Sequence, residues 1–172
     1  MEPLESLIRD IPDFPKPGVV FKDITPIFSD QDAFRRLIAG MADPFREAGI
    51  TQVAGIEARG FTLAAPIALE LHAGFIPVRK PGKLPFETKG EDYTLEYGTD
   101  RLEVHVDAAG SSDRVLVVDD VIATGGTAAA ALRLMEGFGA EVAGFSVFIE
   151  LAFLNGRDTL PRVPYHALLV YD

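Results

Sequence analysis

Short apolar runs alternate with stretches of helical periodicity over most of this chain of 172 residues. The apolar runs lie at residues 52–56, 74–78, 114–118 and 142–151, and the helical patterns lie at residues 61–71 and 127–138. Strands that alternate with helices in this way form a mostly parallel sheet with helices on its faces. The chain is 48% hydrophobic, which at this length is enough to bury a substantial core. We therefore predict one α/β domain over residues 1–172, with a central, mostly parallel, twisted sheet flanked by helices.

The N-terminal part of the chain is predicted to form two helices. The apolar residues of the first recur at helical spacing: Leu4, Leu7, Ile8 and Ile11. This helix should end at residues 12–17, because the prolines there lack an amide donor and have a fixed φ. Asp30 is a candidate N-cap for the second helix, whose apolar residues are Phe34, Leu37, Ile38, Met41 and Phe45.

Residues 80–99 differ from both kinds of segment, because they are polar, rich in Gly and Pro and without clear periodicity. We predict a long mobile loop, which in a compact domain usually has a function. Directly after it, Leu102, Val104 and Val106 alternate with polar residues, which predicts a half-exposed antiparallel strand. Residues 166–171 are a further strand candidate.

The charge and composition of the chain limit its partners. A net charge of −10 repels phosphate groups on average, which argues against nonspecific binding to nucleic acid or anionic membranes. The N-terminal segment has neither a basic stretch nor a long apolar run, so we expect no secretory signal and no membrane span. The absence of cysteine excludes disulfides and agrees with a reducing compartment, so we expect a cytoplasmic protein. An anionic substrate would need a local cluster of cations.

The segment RVLVVDDVIATGGT, residues 114–127, combines a buried type of strand with groups that can bind a ribose phosphate. Asp119 and Asp120 are predicted to lie at the carboxyl end of the strand, where open α/β sheets bind ligands, and carboxylates accept hydrogen bonds from ribose hydroxyls. The glycine-rich turn that follows should begin a helix, whose dipole favours an anion at that end. The groups that would hold a phosphate there belong to Ala123, Thr124, Gly125, Gly126 and Thr127.

The glycine-containing loops also allow other interpretations, which differ in single residues. A strand, a turn and a capped helix without any ligand would produce the same TGGT pattern, whereas the adjacent acidic pair favours a ligand. Residues 55–60 have the outer glycine spacing of a Walker A loop but lack its lysine, and no GxGxxG follows a strand, so neither ATP hydrolysis nor dinucleotide binding is supported. The three histidines, His72, His105 and His166, lack the spacing of metal ligands.

The stretch VLVVDDVIATGGT resembles the phosphoribosyl diphosphate motif of the type I phosphoribosyltransferases. Four further segments occur in the right order along nearly the whole chain and resemble the adenine-specific branch of that family: FPKPGVVFKDITPIF, GIEARGF, VRKPGKLPFET and YTLEYG. The resemblance implies the type I phosphoribosyltransferase fold, with a small base-binding hood at about residues 1–30 and a flexible catalytic loop at residues 80–99. It also implies transfer of a phosphoribosyl group to adenine, which forms AMP and releases diphosphate in purine salvage.

The resemblance assigns the sugar and its phosphates to residues at matching positions. Asp119 and Asp120 would bind the ribose hydroxyls, directly or through Mg²⁺ as the cofactor, and residues 123–127 would hold the 5-phosphate. The diphosphate loop would consist of Ala58, Arg59 and Gly60, with Arg59 as its main cation. Lys83, together with Arg79, would add positive charge there, and Lys83 would reach across the interface of a homodimer.

The resemblance also assigns residues to the base and to the proton transfer. The ring of Phe21 would stack on adenine while the backbone of Val20 and Lys22 reads its edge, although Phe21 considered alone would be assigned to the core. In the predicted loop, Glu96 would handle the proton of the purine and Tyr97 would contact substrate or diphosphate. Closure of the loop would keep water from the reacting sugar.

Two alternative functions and a few departures from the family remain open at this point. A transferase for another purine base would keep the same sugar site, because base selectivity depends on backbone directions around Phe21. A purine-sensing regulator without catalysis is the second alternative, although the chain contains no segment typical of a nucleic-acid-binding module. Phe86 stands where the family often has Arg, Val121 and Ile122 replace a leucine-rich pair, and the C-terminal tail is short.

Overall fold

The computed structural model describes residues 3–95 and 98–172 of the chain. In chain order the strands are β1 (Arg9–Pro12), β2 (Val20–Asp23), β3 (Gln52–Ile56), β4 (Gly74–Val78), β5 (Thr88–Leu95), β6 (Gly98–His105), β7 (Arg114–Ile122), β8 (Glu141–Leu151) and β9 (Tyr165–Tyr171). The α-helices are α1 (Thr25–Ser29), α2 (Gln31–Ala42), α3 (Arg59–Glu70) and α4 (Gly126–Glu136). Short 3₁₀ helices lie at Leu4–Leu7, Asp43–Phe45, Ala152–Leu154 and Gly156–Thr159.

The centre of the fold is a parallel five-stranded sheet in the order β4-β3-β7-β8-β9. Successive side chains of a strand point to opposite faces, and in β7 Leu116 packs with α2 and α3 while Val115 and Val117 pack with α4. The central strands β3, β7 and β8 are therefore largely buried on both faces, which is why they contain continuous apolar runs in the sequence. The predicted α/β architecture with a mostly parallel sheet is confirmed.

The second predicted helix is also confirmed. The carboxylate of Asp30 accepts a hydrogen bond from the amide of Ala33 at 2.8 Å, so Asp30 is the N-cap of α2. The helix ends at Ala42, two residues before Pro44, and a 3₁₀ turn follows it. None of the helices in the described ranges is both long and apolar enough to cross a membrane.

The predicted first helix is wrong. Residues 4–7 form a single 3₁₀ turn, and β1 then pairs antiparallel with β2, with Ile11 opposite Phe21. The apolar spacing was read correctly as a buried face, since Leu4, Leu7 and Ile8 pack on the core. The pairing with β2 decides the backbone conformation, and a pattern within one segment does not reveal it.

Among the described residues, the prediction of a loop over residues 80–99 is wrong for Thr88–Leu95 and for Gly98 and Thr99, which lie in strands. Strands β5 and β6 form an antiparallel hairpin in which Leu95 pairs with Gly98. The hairpin lies against α4, where Glu91 accepts a hydrogen bond from Arg133 at 2.7 Å. Leu102 and Val104 are fully buried while Glu103 and His105 between and after them are partly exposed, so the predicted half-exposed antiparallel strand is confirmed as far as His105, whereas Val106 lies beyond β6 and is 41% exposed.

Candidate active site

A cleft of about 500 Å³ opens at the carboxyl ends of β3 and β7. Parallel neighbouring strands end at the same edge of a sheet, so the loops after β3 and β7 face each other there. The structure thus brings together the residues predicted to bind ribose, 5-phosphate and diphosphate. The cleft is lined by Ile56, Glu57, Ala58, Arg59, Asp119, Asp120, Val121, Ala123 and Thr127.

The acidic pair lies near the carboxyl end of β7, as predicted, and the strand continues for two residues beyond Asp120 to Ile122. On one side β3 pairs with β7 only as far as Val118, while on the other side β8 pairs with β7 up to Ile122. Asp119 and Asp120 therefore have one open side, and this side faces the cleft. The strand extends past the apolar run of residues 114–118 because β8 continues the ladder on that side as far as Ile122.

Burial is the main cause of the raised pKa values of this acidic pair. Asp120 is 5% exposed. Burial raises the pKa of Asp119 well above its usual value, and the charge of the neighbouring Asp120 raises it further. Burial also raises the pKa of Asp120, although the positive charge of Arg59 opposes that effect. A Cβ atom at Gly60 would lie 2.9 Å from Asp119 Oδ1, so a glycine at that position lets the diphosphate loop approach the pair.

Arg59 connects the acidic pair to the N-terminal hairpin. Its Nε lies 2.6 Å from Oδ2 of Asp120, and its guanidinium lies 4.6 Å from the centre of the Phe21 ring. Phe21 is half-buried and meets the edge of Phe14 at 5.1 Å between ring centres. A ring that could have belonged to the core thus lies beside the cleft, as the predicted base site requires.

The glycine turn after β7 has the geometry of an anion site. Gly125 is the N-cap of α4 with a φ of 82°, a left-handed conformation that favours glycine. The amides of Ala123, Thr124 and Gly125 donate no hydrogen bond to any residue that the structure describes. Unpaired amides at a helix N-terminus are the donors that a phosphate group uses.

The two other predicted cations, Arg79 and Lys83, lie beside the cleft and do not line it. Arg79 Nε donates a hydrogen bond to Glu57 Oε2 at 2.8 Å, and its Nη1 donates to the carbonyl of Lys83 at 3.1 Å. The side chain of Lys83 is exposed. We did not predict a role for Glu57, which also accepts a hydrogen bond from the amide of Lys80. The sequence could have indicated such a role, because Glu57 directly precedes Ala58, Arg59 and Gly60.

The predicted base-reading residues lie on the hood strand β2. Val20 is 51% exposed, and Lys22 forms an ion pair of 2.7 Å with Asp10. Their side chains line a second cavity of about 560 Å³ with Leu151 and Phe153, on the face of the strand opposite to Phe21. Neither Leu151 nor Phe153 was singled out from the sequence, because both resemble ordinary apolar residues at a strand end.

The predicted catalytic residues Glu96 and Tyr97 lie outside the described residues. The strand before them approaches the glycine turn of residues 123–127, called the phosphate turn below, since a Cβ atom at Gly126 would lie 3.5 Å from the carbonyl oxygen of Thr94. Across the described ranges, no three His, Cys, Asp or Glu side chains form a cluster that could hold a metal ion.

Comparison with known proteins agrees with this geometry. Residues 27–163 match the family described as phosphoribosyl transferase domain. The adenine phosphoribosyltransferase of Myxococcus xanthus is 54% identical over 98% of this chain and 91% of its own length. The crystal structure of the Rhodothermus marinus enzyme of that name has a TM-score of 0.94 at 53% identity, covering 98% and 96% of the two chains. The Saccharomyces cerevisiae enzyme, solved with adenine and an imino-altritol bisphosphate, has a TM-score of 0.90 at 40% identity, covering 96% of both chains.

Proposed function

Because this chain belongs to the phosphoribosyltransferase family, and within it to the adenine phosphoribosyltransferases, we propose that it converts adenine and phosphoribosyl diphosphate to AMP and diphosphate. The observation that carries this proposal is the single cleft in which Arg59, the acidic pair and the glycine turn meet. A sugar with a phosphate at one end and a diphosphate at the other needs these three groups. The similarity to adenine-specific relatives over nearly the whole chain favours adenine over another purine and gives no support to a regulator without catalysis.

The glycine turn and the acidic pair would hold the ribose 5-phosphate. The amides of residues 123–127 would donate to the phosphate, and the start of α4 would add its dipole. Asp119 and Asp120 would accept hydrogen bonds from the ribose hydroxyls. Oδ2 of Asp120 is buried and meets Arg59 Nε only as an ion pair, without hydrogen-bond geometry to any described residue, so a ribose hydroxyl would supply a hydrogen bond there once Arg59 turns to the diphosphate.

Arg59 would change partners when substrate binds. In this structure its guanidinium lies between Asp120 and the Phe21 ring, so it covers the ring face that adenine needs. The diphosphate, held by Ala58, Arg59 and Gly60, would draw the guanidinium away from both. Charge that develops on the leaving diphosphate would then be stabilised by a preorganised cation, which is the largest contribution that such a site makes.

Adenine would bind against the face of the Phe21 ring that Arg59 leaves when diphosphate binds. The ring of Phe21 would stack on adenine, and the backbone of Val20 and Lys22 would read the purine edge. Glu96 and Tyr97 remain our predictions for the proton transfer and for a contact to substrate or diphosphate.

Mg²⁺ is part of the proposal. With two adjacent carboxylates and no third acidic ligand among the described residues, the cleft fits an ion that keeps most of its coordination to substrate oxygens and water. Asp119 and Asp120 would hold it indirectly, through water or the bound sugar. When bound, the ion would neutralise charge on the diphosphate.

The protein would act as a homodimer in the cytoplasm. Lys83 is exposed and does not line the cleft of its own chain, which supports our prediction that it serves the site of a partner subunit. Arg79 donates a hydrogen bond to the carbonyl of Lys83 and would hold the backbone of Lys83 in place.

A base panel tests the proposed function. The enzyme is incubated with phosphoribosyl diphosphate, Mg²⁺ and one of adenine, hypoxanthine, guanine or xanthine, and nucleotide and diphosphate are measured together. We expect AMP and diphosphate in equal amounts, and turnover of adenine at least 100-fold faster than of the 6-oxopurines. Faster turnover of a 6-oxopurine would contradict the choice of base, and diphosphate release without any nucleotide would contradict the transfer itself.

A further inference from the structure

The turn that follows β8 touches the backbone of the phosphate turn at two glycines. A Cβ atom at Gly125 would overlap the carbonyl oxygen of Gly156. In the opposite direction, a Cβ atom at Gly156 would overlap the carbonyl oxygen of Ala123 and would lie 2.9 Å from the amide nitrogen of Gly125. The two backbones therefore lie against each other without any side chain between them.

Gly156 is a glycine because of this approach and not because of its own conformation. Gly125 has a positive φ, and so does Asn155 beside Gly156, whereas Gly156 does not. An alanine could adopt the backbone angles of Gly156 without strain, so only the phosphate turn excludes a side chain there. The exclusion of a side chain at Gly156 therefore indicates that this residue supports the backbone of the phosphate turn.

Thr159 adds a polar contact to the same interface. Its Oγ1 donates a hydrogen bond to the carbonyl of Gly156 at 2.7 Å and lies 3.4 Å from the carbonyl of Thr124. A Cβ atom at Gly125 would also overlap this oxygen. The hydroxyl thus lies between the two backbones and fixes their separation.

The supporting turn is itself held to the sheet. The guanidinium of Arg157 lies 4.5 Å from the centre of the Tyr165 ring, and the hydroxyl of Tyr165 donates to Glu150 Oε2 at 2.8 Å. Burial, followed by the neighbouring carboxylate, raises the pKa of Tyr165, so its hydroxyl remains a donor at neutral pH. Because the turn at Gly156–Thr159 is held to the sheet in this way, it can hold the phosphate turn in a fixed position.

We infer that Gly156 and Thr159 are positioning residues for the 5-phosphate of the substrate. This inference rests on the proposed function, since it concerns the loop that would bind that phosphate. The amides of residues 123–125 bind an anion only if they converge on it, and the contact with Gly156 sets their direction. Neither residue touches substrate; both act through the phosphate turn.

The substitution Gly156→Ala tests the inference. The added methyl must push the phosphate turn aside by about 1 Å, and a misplacement of that size costs about 100-fold in kcat/KM. We expect the loss to fall on phosphoribosyl diphosphate, through a higher KM, while the KM for adenine changes less than about threefold. Binding of ribose 5-phosphate, measured by calorimetry, should weaken by a similar factor of about 100.

The matched control is Gly139→Ala. Gly139 has a φ of 75°, is exposed and follows the far end of α4, so an alanine there strains the backbone without reaching the phosphate turn. It should keep the kinetics of the wild type. Equal losses in both variants, or equal rises in the two KM values of Gly156→Ala, would show that Gly156 only stabilises the fold and would overturn the inference.

A milder pair of variants decides the matter if Gly156→Ala does not fold. Thr159→Val removes the hydroxyl at nearly constant shape and should raise the KM for phosphoribosyl diphosphate by about 2- to 10-fold, the equivalent of one neutral hydrogen bond. Thr159→Ser should restore it, and failure of this rescue would contradict the role of the hydroxyl. A wild type that forms no AMP would refute the proposed function, whereas the ribose 5-phosphate titrations would still test Gly156 and Thr159.

Discussion

Asp119→Asn should make the protein more stable at neutral pH and less active. The side chain lies beside a second buried carboxylate, and its pKa is raised first by burial and then by that neighbour. An ionised Asp119 is therefore unfavourable in the folded state. The amide keeps the size of the carboxyl group, and its oxygen can still accept the hydrogen bond of 2.9 Å that the amide of Asp120 donates.

The sign of the pH dependence follows from the raised pKa. The folded state holds the proton of Asp119 more tightly than the unfolded state, so stability is full at low pH and is lost as the pH rises through the folded pKa. Each unit of elevation is equivalent to about 1.4 kcal/mol at a pH above that pKa. In a domain of this size 1 kcal/mol shifts Tm by about 2–4 °C. We expect Asp119→Asn to raise Tm by about 2–5 °C at pH 7.5, and by less as the pH is lowered toward 5.

Calorimetric melting of both proteins between pH 5 and pH 8 measures this difference. Asp92→Asn is the control, because it removes the same charge at a side chain that is 70% exposed and should change Tm little. In the activity assay Asp119→Asn should lose about 10- to 100-fold in kcat/KM, since one carboxyl oxygen is replaced by an NH₂ group that cannot accept a hydrogen bond from a ribose hydroxyl. A lower Tm than the wild type at pH 7.5, or a Tm difference that does not change with pH, would refute the reasoning.

Two further substitutions follow from the ion pairs of the site and of the hairpin. Arg59→Ala should lower kcat/KM for phosphoribosyl diphosphate by about 100- to 1000-fold with a normal circular dichroism spectrum, and a loss below tenfold would remove Arg59 from the proposed mechanism. Asp100→Asn should loosen the hairpin, because Lys80 holds Asp100 and lowers its pKa through a hydrogen bond. Limited proteolysis should then cut the hairpin faster than in Asp92→Asn, which affects only a pair within the hairpin, and equal cutting rates would contradict this anchor.

The sheet was predictable because burial on both faces leaves a direct trace in the sequence. The runs of β3 and β7 are apolar without alternation, since α3 and α4 cover opposite faces. The hairpin could not be recognised in the same way. In β5 the buried side chain of Tyr93 lies among polar residues that face solvent, so the strand has too few apolar positions to show a period.

The site was predictable where one segment carries its own chemistry, and it was not where two segments meet. The acidic pair and the glycine turn are contiguous, so their residue types identify a ribose phosphate site. Glu57 and Gly156 gain their importance from partners far along the chain, Arg79 and Gly125. A single carboxylate or glycine has no spacing to interpret, and only the fold reveals what it touches.

The charges of the cleft are already paired with one another in this structure, and this limits what substrate binding can contribute. Arg59 lies on Asp120 and Arg79 lies on Glu57, so both arginines predicted to serve the diphosphate have a carboxylate partner. A chain with a net charge of −10 would otherwise present these carboxylates alone to an anionic substrate. The diphosphate must therefore exchange ion pairs and cannot simply form new ones. Because burial raises the pKa of Asp120 and Arg59 opposes that effect, departure of Arg59 favours proton uptake by this carboxyl, and this lowers the cost of the exchange.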